Sequence, residues 1–290
     1  MLSSLAGQIR NVSTLYQVYD ISGSALKLGL TGFLETLPFI IFGLFAGAVA
    51  DAFNRKKLLV ATISLQIVPN LTLGILTLAG VTQVWHIYAL GLVGAFVEVF
   101  NWPARAALIP RLVPQRLLMN AMVFNTMILQ TSFLVGPAIG GFLIDRGGLA
   151  TAYFASTLLF VPAAISILSV RTSGEITGER RRVNLKSIVE GIEFIWIQRI
   201  ILSLFLLDFA VVLVGFYRPI LPIFAVGVFK MGASGLGLLY AAPSAGSIIG
   251  TVALLMAGDV NRKGILVIIA ALFFAGSLAC WAAHKCSGWP

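Results

Sequence analysis

The sequence predicts an all-α membrane protein, a bundle of about nine helices whose solvent is the bilayer. Of its 290 residues 59% are hydrophobic and 11% charged, against about a quarter charged in soluble domains. Mean hydropathy is +0.98. The apolar residues come in unbroken runs of about twenty, the length that carries a helix across hydrocarbon, and not in the short alternating stretches of a membrane barrel.

In chain order the runs occupy about 3 to 19, 28 to 50, 58 to 79, 84 to 103, 118 to 143, 149 to 169, 200 to 226, 234 to 257 and 264 to 283. Turn residues separate them: Ser22-Gly23-Ser24, Gly80, Gly147-Gly148 and Gly232. Gln8, Arg10 and Asn11 interrupt the first run, so it does not read as a cleavable signal peptide.

A net charge of +9 in a soluble chain would suggest nucleic acid, but here the basic residues sit in loops between apolar runs, so no nucleic-acid partner is expected. Lys and Arg divide unevenly between the two sides. Arg55, Lys56, Lys57, Arg105, Arg111, Arg116, Arg171, Arg180, Arg181, Arg182, Lys186, Arg199, Arg262 and Lys263 fall on one side, and Lys27, Arg146, Lys230 and Lys285 on the other. Basic loops resist translocation, so the first side and the N-terminus are expected in the cytoplasm.

The loop from 171 to 199 separates six runs (1–170) from three (200–290). Its basic tract Arg180-Arg181-Arg182 suits anionic lipid, and Leu185, Ile188, Val189, Ile192 and Ile195 predict a short helix lying on the membrane surface. A shift of 208 residues lays Leu28-Gly29-Leu30 on Leu236-Gly237-Leu238 and Arg10 on Arg218, and a shift of 207 lays Asn54-Arg55-Lys56 on Asn261-Arg262-Lys263. Runs one to three and seven to nine therefore read as a duplication.

The stretch Gly47-Ala48-Val49-Ala50-Asp51-Ala52-Phe53-Asn54-Arg55-Lys56 joins the second and third runs. It resembles the Gly-x-x-x-Asp-x-x-x-Arg-Lys signature of the major facilitator superfamily. Gly136-Pro137-Ala138-Ile139-Gly140-Gly141 in the fifth run is similar to the Gly-Pro-x-x-Gly-Gly motif of that family's antiporters, with Ser132 where a glycine often precedes it. The stretch from Pro103 to Pro110 and Leu238-Leu239-Tyr240-Ala241-Ala242 resemble the exporter branch that includes the enterobactin exporter and drug:proton antiporters.

The resemblance implies two six-helix bundles. This chain supplies a complete first bundle and the first three helices of the second, so a truncated chain is expected, with about eight residues also missing before the first run. It further implies a secondary transporter in the bacterial plasma membrane, exporting a small amphipathic molecule, a drug or a siderophore, by alternating access coupled to proton influx. The alternative is a non-transporting remnant or partner subunit of the same family.

On this reading Gly47, Asp51, Arg55 and Lys56 form a gating loop. The Asp51 carboxylate can satisfy amides at a helix N-terminus and pair with a guanidinium. Gly43 with Gly47, Gly136 with Gly140 and Gly246 with Gly250 mark expected close helix approaches, and Pro137 adds a bend. Charges inside spans cost about 2.5 to 3.5 kcal/mol each on insertion scales unless they face water or a partner. Arg10, Asp208 and Arg218 are read as lining the substrate cavity and Glu35 as a proton carrier, while Glu98 is placed within reach of water or Arg105.

His86, His284, Cys280 and Cys286 form no metal-ligand or nucleophile set, so neither enzyme chemistry nor a cofactor is expected. No phosphate-cradling glycine loop is present. Asn11-Val12-Ser13 and Asn70-Leu71-Thr72 match glycosylation sequons only by chance, since both lie within spans.

Overall fold

The computed structural model describes residues 1–169, 196–198, 201–204, 206, 207, 209, 217–257 and 263–286. The surface helix expected from Leu185, the basic tract and its lipid contact, and Asp208 lie outside them, as do most residues of the expected 171–199 linker.

Helix α1 (Leu2–Ser22) ends at Gly23, whose φ of 59° suits the left-handed cap that glycine adopts without strain, its N–H donating to Tyr19 O. Helix α2 (Ala25–Ala52) opens at Ser24, and α3 (Arg55–Leu78) opens at Asn54, whose Oδ1 accepts the Lys57 N–H at 3.1 Å. Helix α4 spans Val84–Leu112. A 3₁₀ turn at Gln115–Leu117 leads into α5 (Leu118–Leu168). At about 1.5 Å per residue α5 is more than twice as long as the hydrocarbon core, about 30 Å, is thick. Gly148 breaks it with φ 80° and ψ 171°, and both arms return to the same part of α1, Gly136 meeting Gln8 and Ser156 bonding Ala6 O, so the two expected crossings fold back alongside one another. The later chain forms a 3₁₀ turn at Arg218–Ile220, a π turn at Ile223–Val228, α6 (Gly232–Ala257) and α7 (Lys263–Cys286).

Among the described residues five segments are long and apolar enough to cross a membrane: Ala25–Gly43, Arg55–Leu78, Val84–Pro110, Gln115–Leu168 and Gly232–Ala253. Helix α1 falls outside this set although it has 21 residues, because Gln8, Arg10, Gln17 and Asp20 dilute it.

The chain forms two compact units. One comprises Met1–Val183 with Pro219–Ile248, the other Asn184–Arg218 with Ile249–Pro290. In the first, α1 packs along α5, α3 packs against α5 and α4, and α2 packs against α4. Two apolar clusters hold these helices at the end carrying the basic loops: Ala6, Ile63, Phe160, Ala163 and Ala164; and Ala50, Leu59, Ala104 and Leu108.

Polarity is inverted relative to a soluble fold. Ile40 is 67% exposed and Leu158 71%, while Gln66, Asn70, Gln17 and Ser156 are buried. Apolar side chains face the surroundings and polar ones face each other, as expected where the solvent is lipid. The architecture is the all-α membrane bundle that the composition predicts.

Candidate functional site

Helix α3 presents Thr62, Gln66, Asn70 and Thr77 on one face, spaced by four, four and seven residues. Each finds a partner on another helix. Asn101 Nδ2 of α4 donates to Thr62 Oγ1 at 3.0 Å, and Gln17 Nε2 of α1 donates to Thr77 Oγ1 at 2.8 Å. Ser156 of α5 donates to Ala6 O at 2.9 Å and to Asn70 Oδ1 at 3.3 Å. The buried Tyr153 hydroxyl of α5 donates to Gln17 Oε1 at 2.8 Å. Such bonds satisfy side chains that would otherwise be stranded in a low-dielectric interior.

Gln66 occupies the centre. Its Oε1 accepts Arg10 Nη1 at 3.0 Å, and its Nε2 donates to Gly94 O at 2.8 Å and to Glu98 Oε2 at 3.3 Å. A Cβ at position 94 would lie 2.6 Å from Arg10 Nη1, so a larger residue there would push the guanidinium aside. Arg10 acts electrostatically on both Glu98 and Glu35, and Arg105 on Glu98. Glu35 Oε1 of α2 reaches the α4 backbone at Gly91, 3.8 Å from where a Cβ would stand. Arg105 Nη1 donates to Ser4 Oγ at 2.9 Å. Arg10 Nε is buried without a hydrogen-bond partner. A cavity of about 30 Å³, enough for a water molecule, lies among Ser4, Gln66, Glu98, Asn101 and Arg105. It shares Ser3, Ile63, Asn101 and Arg105 with a larger cavity of about 390 Å³ between the ends of α1, α3, α4 and α5.

Of the four expected cavity charges, Arg10 and Glu35 therefore come together. Asp208 lies outside the described residues, and Arg218 opens its 3₁₀ turn in the second unit, unlike Arg10, which sits within a continuous α-helix.

In the gating loop, Arg55 Nη1 donates to Ala107 O at 3.2 Å and Lys56 Nζ to Leu168 O at 2.9 Å. Both cations thus meet carbonyls near the C-terminal ends of α4 and α5, where the helix dipole favours positive charge. A Cβ at Gly47 would meet open space, and the Asp51 side chain lies outside the described residues. Gly43, Gly246 and Gly250 likewise have open space about them among the described residues, so of the three expected close approaches only Gly136 with Gly140 is one.

That motif is tightly packed on two sides. A Cβ at Gly136 would lie 2.6 Å from Gln8 Cβ of α1, and one at Gly140 would lie 3.3 Å from Ile9 Cα. Toward α6, a Cβ at Gly141 would lie 2.3 Å from Ala233 O, and one at Gly237 would lie 2.4 Å from Pro137 O. Four residues beyond Gly141, Asp145 caps α6: Oδ1 accepts the Ala233 N–H at 3.1 Å and Oδ2 the Ser234 N–H at 2.9 Å. Asp145 lies between the fifth and sixth apolar runs. Partial burial alone would raise its carboxyl, but the hydrogen bonds from the Ser234 side chain and from the two backbone amides outweigh it and hold the group below the usual aspartate range.

Reading charges alone misses Gln66, Gly94, Asn70, Tyr153, Ser156 and Asp145. The signal for two of them, Gln66 and Asn70, was their four-residue spacing with Thr62.

The profile of the Major Facilitator Superfamily matches residues 2–289. The chain is 22% identical to macrolide efflux protein A of Streptococcus pyogenes over 280 residues, 95% of this chain and 68% of that protein. It is 27% identical to the multidrug efflux pump Tap of Mycolicibacterium fortuitum over 214 residues, 70% of this chain and 51% of that one. It is 25% identical to the enterobactin exporter EntS of Escherichia coli O1:K1 over 272 residues, 92% of this chain and 64% of that one. The chain thus spans between half and about two thirds of these relatives' lengths. With Gly136, Gly140 and Gly141 packed tightly between helices and a family match along nearly its full extent, the chain belongs to the major facilitator superfamily.

Proposed function

We propose that this chain is an efflux permease of a bacterial plasma membrane, its basic end in the cytoplasm, that exports a small amphipathic molecule by alternating access driven by inward proton flow. The observation that carries the reading is the Arg10–Gln66–Glu98 cluster with Glu35 beside it. Ionisable groups held inside an apolar bundle are costly, and they mark substrate or proton sites far more often than packing sites. The three relatives, named for the export of a macrolide, of several drugs and of enterobactin, support the same reading.

In this scheme Arg10 and Arg218 meet an anionic or hydrogen-bonding part of the substrate, and Glu35 or Asp208 carries the proton. Gly47, Asp51, Arg55 and Lys56 gate the cytoplasmic mouth, while Gly136, Pro137, Gly140 and Gly141 form the seal toward the outside. The basic loop between the bundles rests on anionic lipid.

The test is pH-driven uptake of a macrolide probe into inverted vesicles holding the wild-type chain, Glu35→Gln or Asp208→Asn. Loss of uptake with normal insertion assigns the proton to the substituted residue, and unchanged uptake removes that residue from the mechanism. Running the same assay on the chain extended to its relatives' full length separates this proposal from the competing reading, a non-transporting partner. Uptake by the extended form alone favours the latter for the chain as given.

A further inference from the structure

We propose that Gln66 is the positioning residue of the charge cluster, holding the Arg10 guanidinium and the Glu98 carboxylate at opposite ends of one carboxamide so that the proton state of Glu98 is passed to Arg10 through it. Three hydrogen bonds fix which way the amide faces. Arg10 only donates and the Gly94 carbonyl only accepts, so Oε1 must face Arg10 and Nε2 must face α4. Flipping the amide would break both bonds at once. Gln66 is 1% exposed, and its backbone carbonyl is itself held by Asn70 Nδ2 at 2.6 Å.

This arrangement differs from an ion pair. A guanidinium set directly on Glu98 would lock the carboxylate in its charged form, whereas an intervening amide lets the carboxyl take up or release a proton while the helices stay joined. The ionised Glu98 accepts the Nε2–H. When a hydronium in the cavity gives its proton to the carboxylate, an O–H bond forms on Glu98, one breaks on the hydronium and water remains; the neutral carboxyl is a weaker acceptor for Nε2–H, so that 3.3 Å contact loosens. Arg10 then loses an anion it faces while keeping its bond to Gln66 and its unpartnered Nε, which leaves its charge for another acceptor. The small polar cavity among Ser4, Gln66, Glu98 and Arg105 gives water a place beside the carboxyl.

Charged groups reach Glu98 from α1 and from α4 itself, and the titratable groups of α2 and α5 face Arg10. Arg10 comes from α1, Glu35 from α2 and Arg105 from α4 itself, and Tyr153 of α5 couples to Arg10 and Glu35. The basic residues of α3, Arg55, Lys56 and Lys57, lie in its first turn, away from this level. Gln66 is the group that bonds both Arg10 and Glu98.

The use of this device in transport rests on the exporter reading, but its titration does not, so the test uses no substrate and no gradient. Infrared difference spectra between acidic and neutral pH are recorded for the chain in lipid nanodiscs. Glu98→Gln is expected to delete one titrating carboxyl band. Gln66→Met is expected to displace the midpoint of that band by about one pH unit, and to displace no remaining band in the Glu98→Gln background. Gly94→Ala, whose methyl would stand 2.6 Å from Arg10 Nη1 and 3.3 Å from Gln66 Oε1, is expected to move the same midpoint while leaving Gln66 in place, and it substitutes for Gln66→Met should that variant not fold. A Glu98 midpoint unmoved by either change, or a displacement that persists without Glu98, overturns the proposal. A glutamine that merely packs would lower thermal stability and leave the midpoint where it was.

Discussion

Placing a methyl at Gly141 drives a wedge between α5 and α6 at the end opposite the basic loops. The new Cβ would lie 2.3 Å from Ala233 O, whereas carbon–oxygen contacts between helices settle at about 3.3 to 3.6 Å. Since the obstacle is backbone, the helices must part by about 1 Å. The Asp145 bonds to Ala233 and Ser234, now 3.1 and 2.9 Å, would lengthen to about 4 Å, beyond hydrogen-bond range. Overpacking costs about 1 to 3 kcal/mol and loss of a helix cap about 1 kcal/mol. A combined 2 kcal/mol or so shifts the ratio of closed to separated forms by about thirtyfold. The assay is double electron–electron resonance between spin labels on Arg146→Cys and Met231→Cys, both exposed at this end. Gly141→Ala should deplete the short-distance population and add a longer, broader one. If the distribution keeps its width and mean, the tight approach does not hold these helices together and the reasoning fails.

Three further outcomes follow from the same geometry. The Asp145 carboxyl lies below the usual aspartate range, so its cap on α6 is complete above the ordinary value and is lost as pH falls through the lowered one; the label distance should lengthen in acid, and Asp145→Asn should remove that dependence. Ser156→Ala removes the hydroxyl donor to Asn70 Oδ1 and to Ala6 O, which should cost about 1 to 3 kcal/mol and lower the melting temperature in detergent, while an unchanged melting temperature would make the bridge energetically idle. Arg10→Gln should slow export of an anionic probe more than that of a neutral one; equal effects on the two would remove the anion preference from the proposed function.

The fold was legible because its signals are long and local. Apolar runs set the helices, and Gly23, Gly80, Gly148 and Gly232 each take the positive φ that their place in a turn suggests. The break at Gly148 was legible as a glycine pair between two apolar runs, but the partners that its two arms would meet on α1 were not. At the site, Arg10 and Glu35 stood out as charges in hydrocarbon. Gln66 did not, although it is the group that organises them, because an amide costs less to bury than a charge and attracts less notice. Asp145 sits outside the apolar runs and looks like an ordinary loop acid. Its meaning depends on α6 arriving beside it, with partners 88 and 89 residues away in sequence.

Helix α1 is made well before α5, yet part of what satisfies it comes from α5. Tyr153 follows Gln17 by 136 residues, and Ser156 follows Ala6 by 150. Helix α3 meets Arg10 and Gln17 through Gln66 and Thr77, but until α5 has been synthesised Gln17 Oε1 and Asn70 Oδ1 lack their hydroxyl donors, and free lipid is a poor host for them. Biogenesis is therefore served by a sheltered berth, moist or lined by an insertion partner, in which α1 and α3 wait for the sixth crossing before the bundle shuts around them.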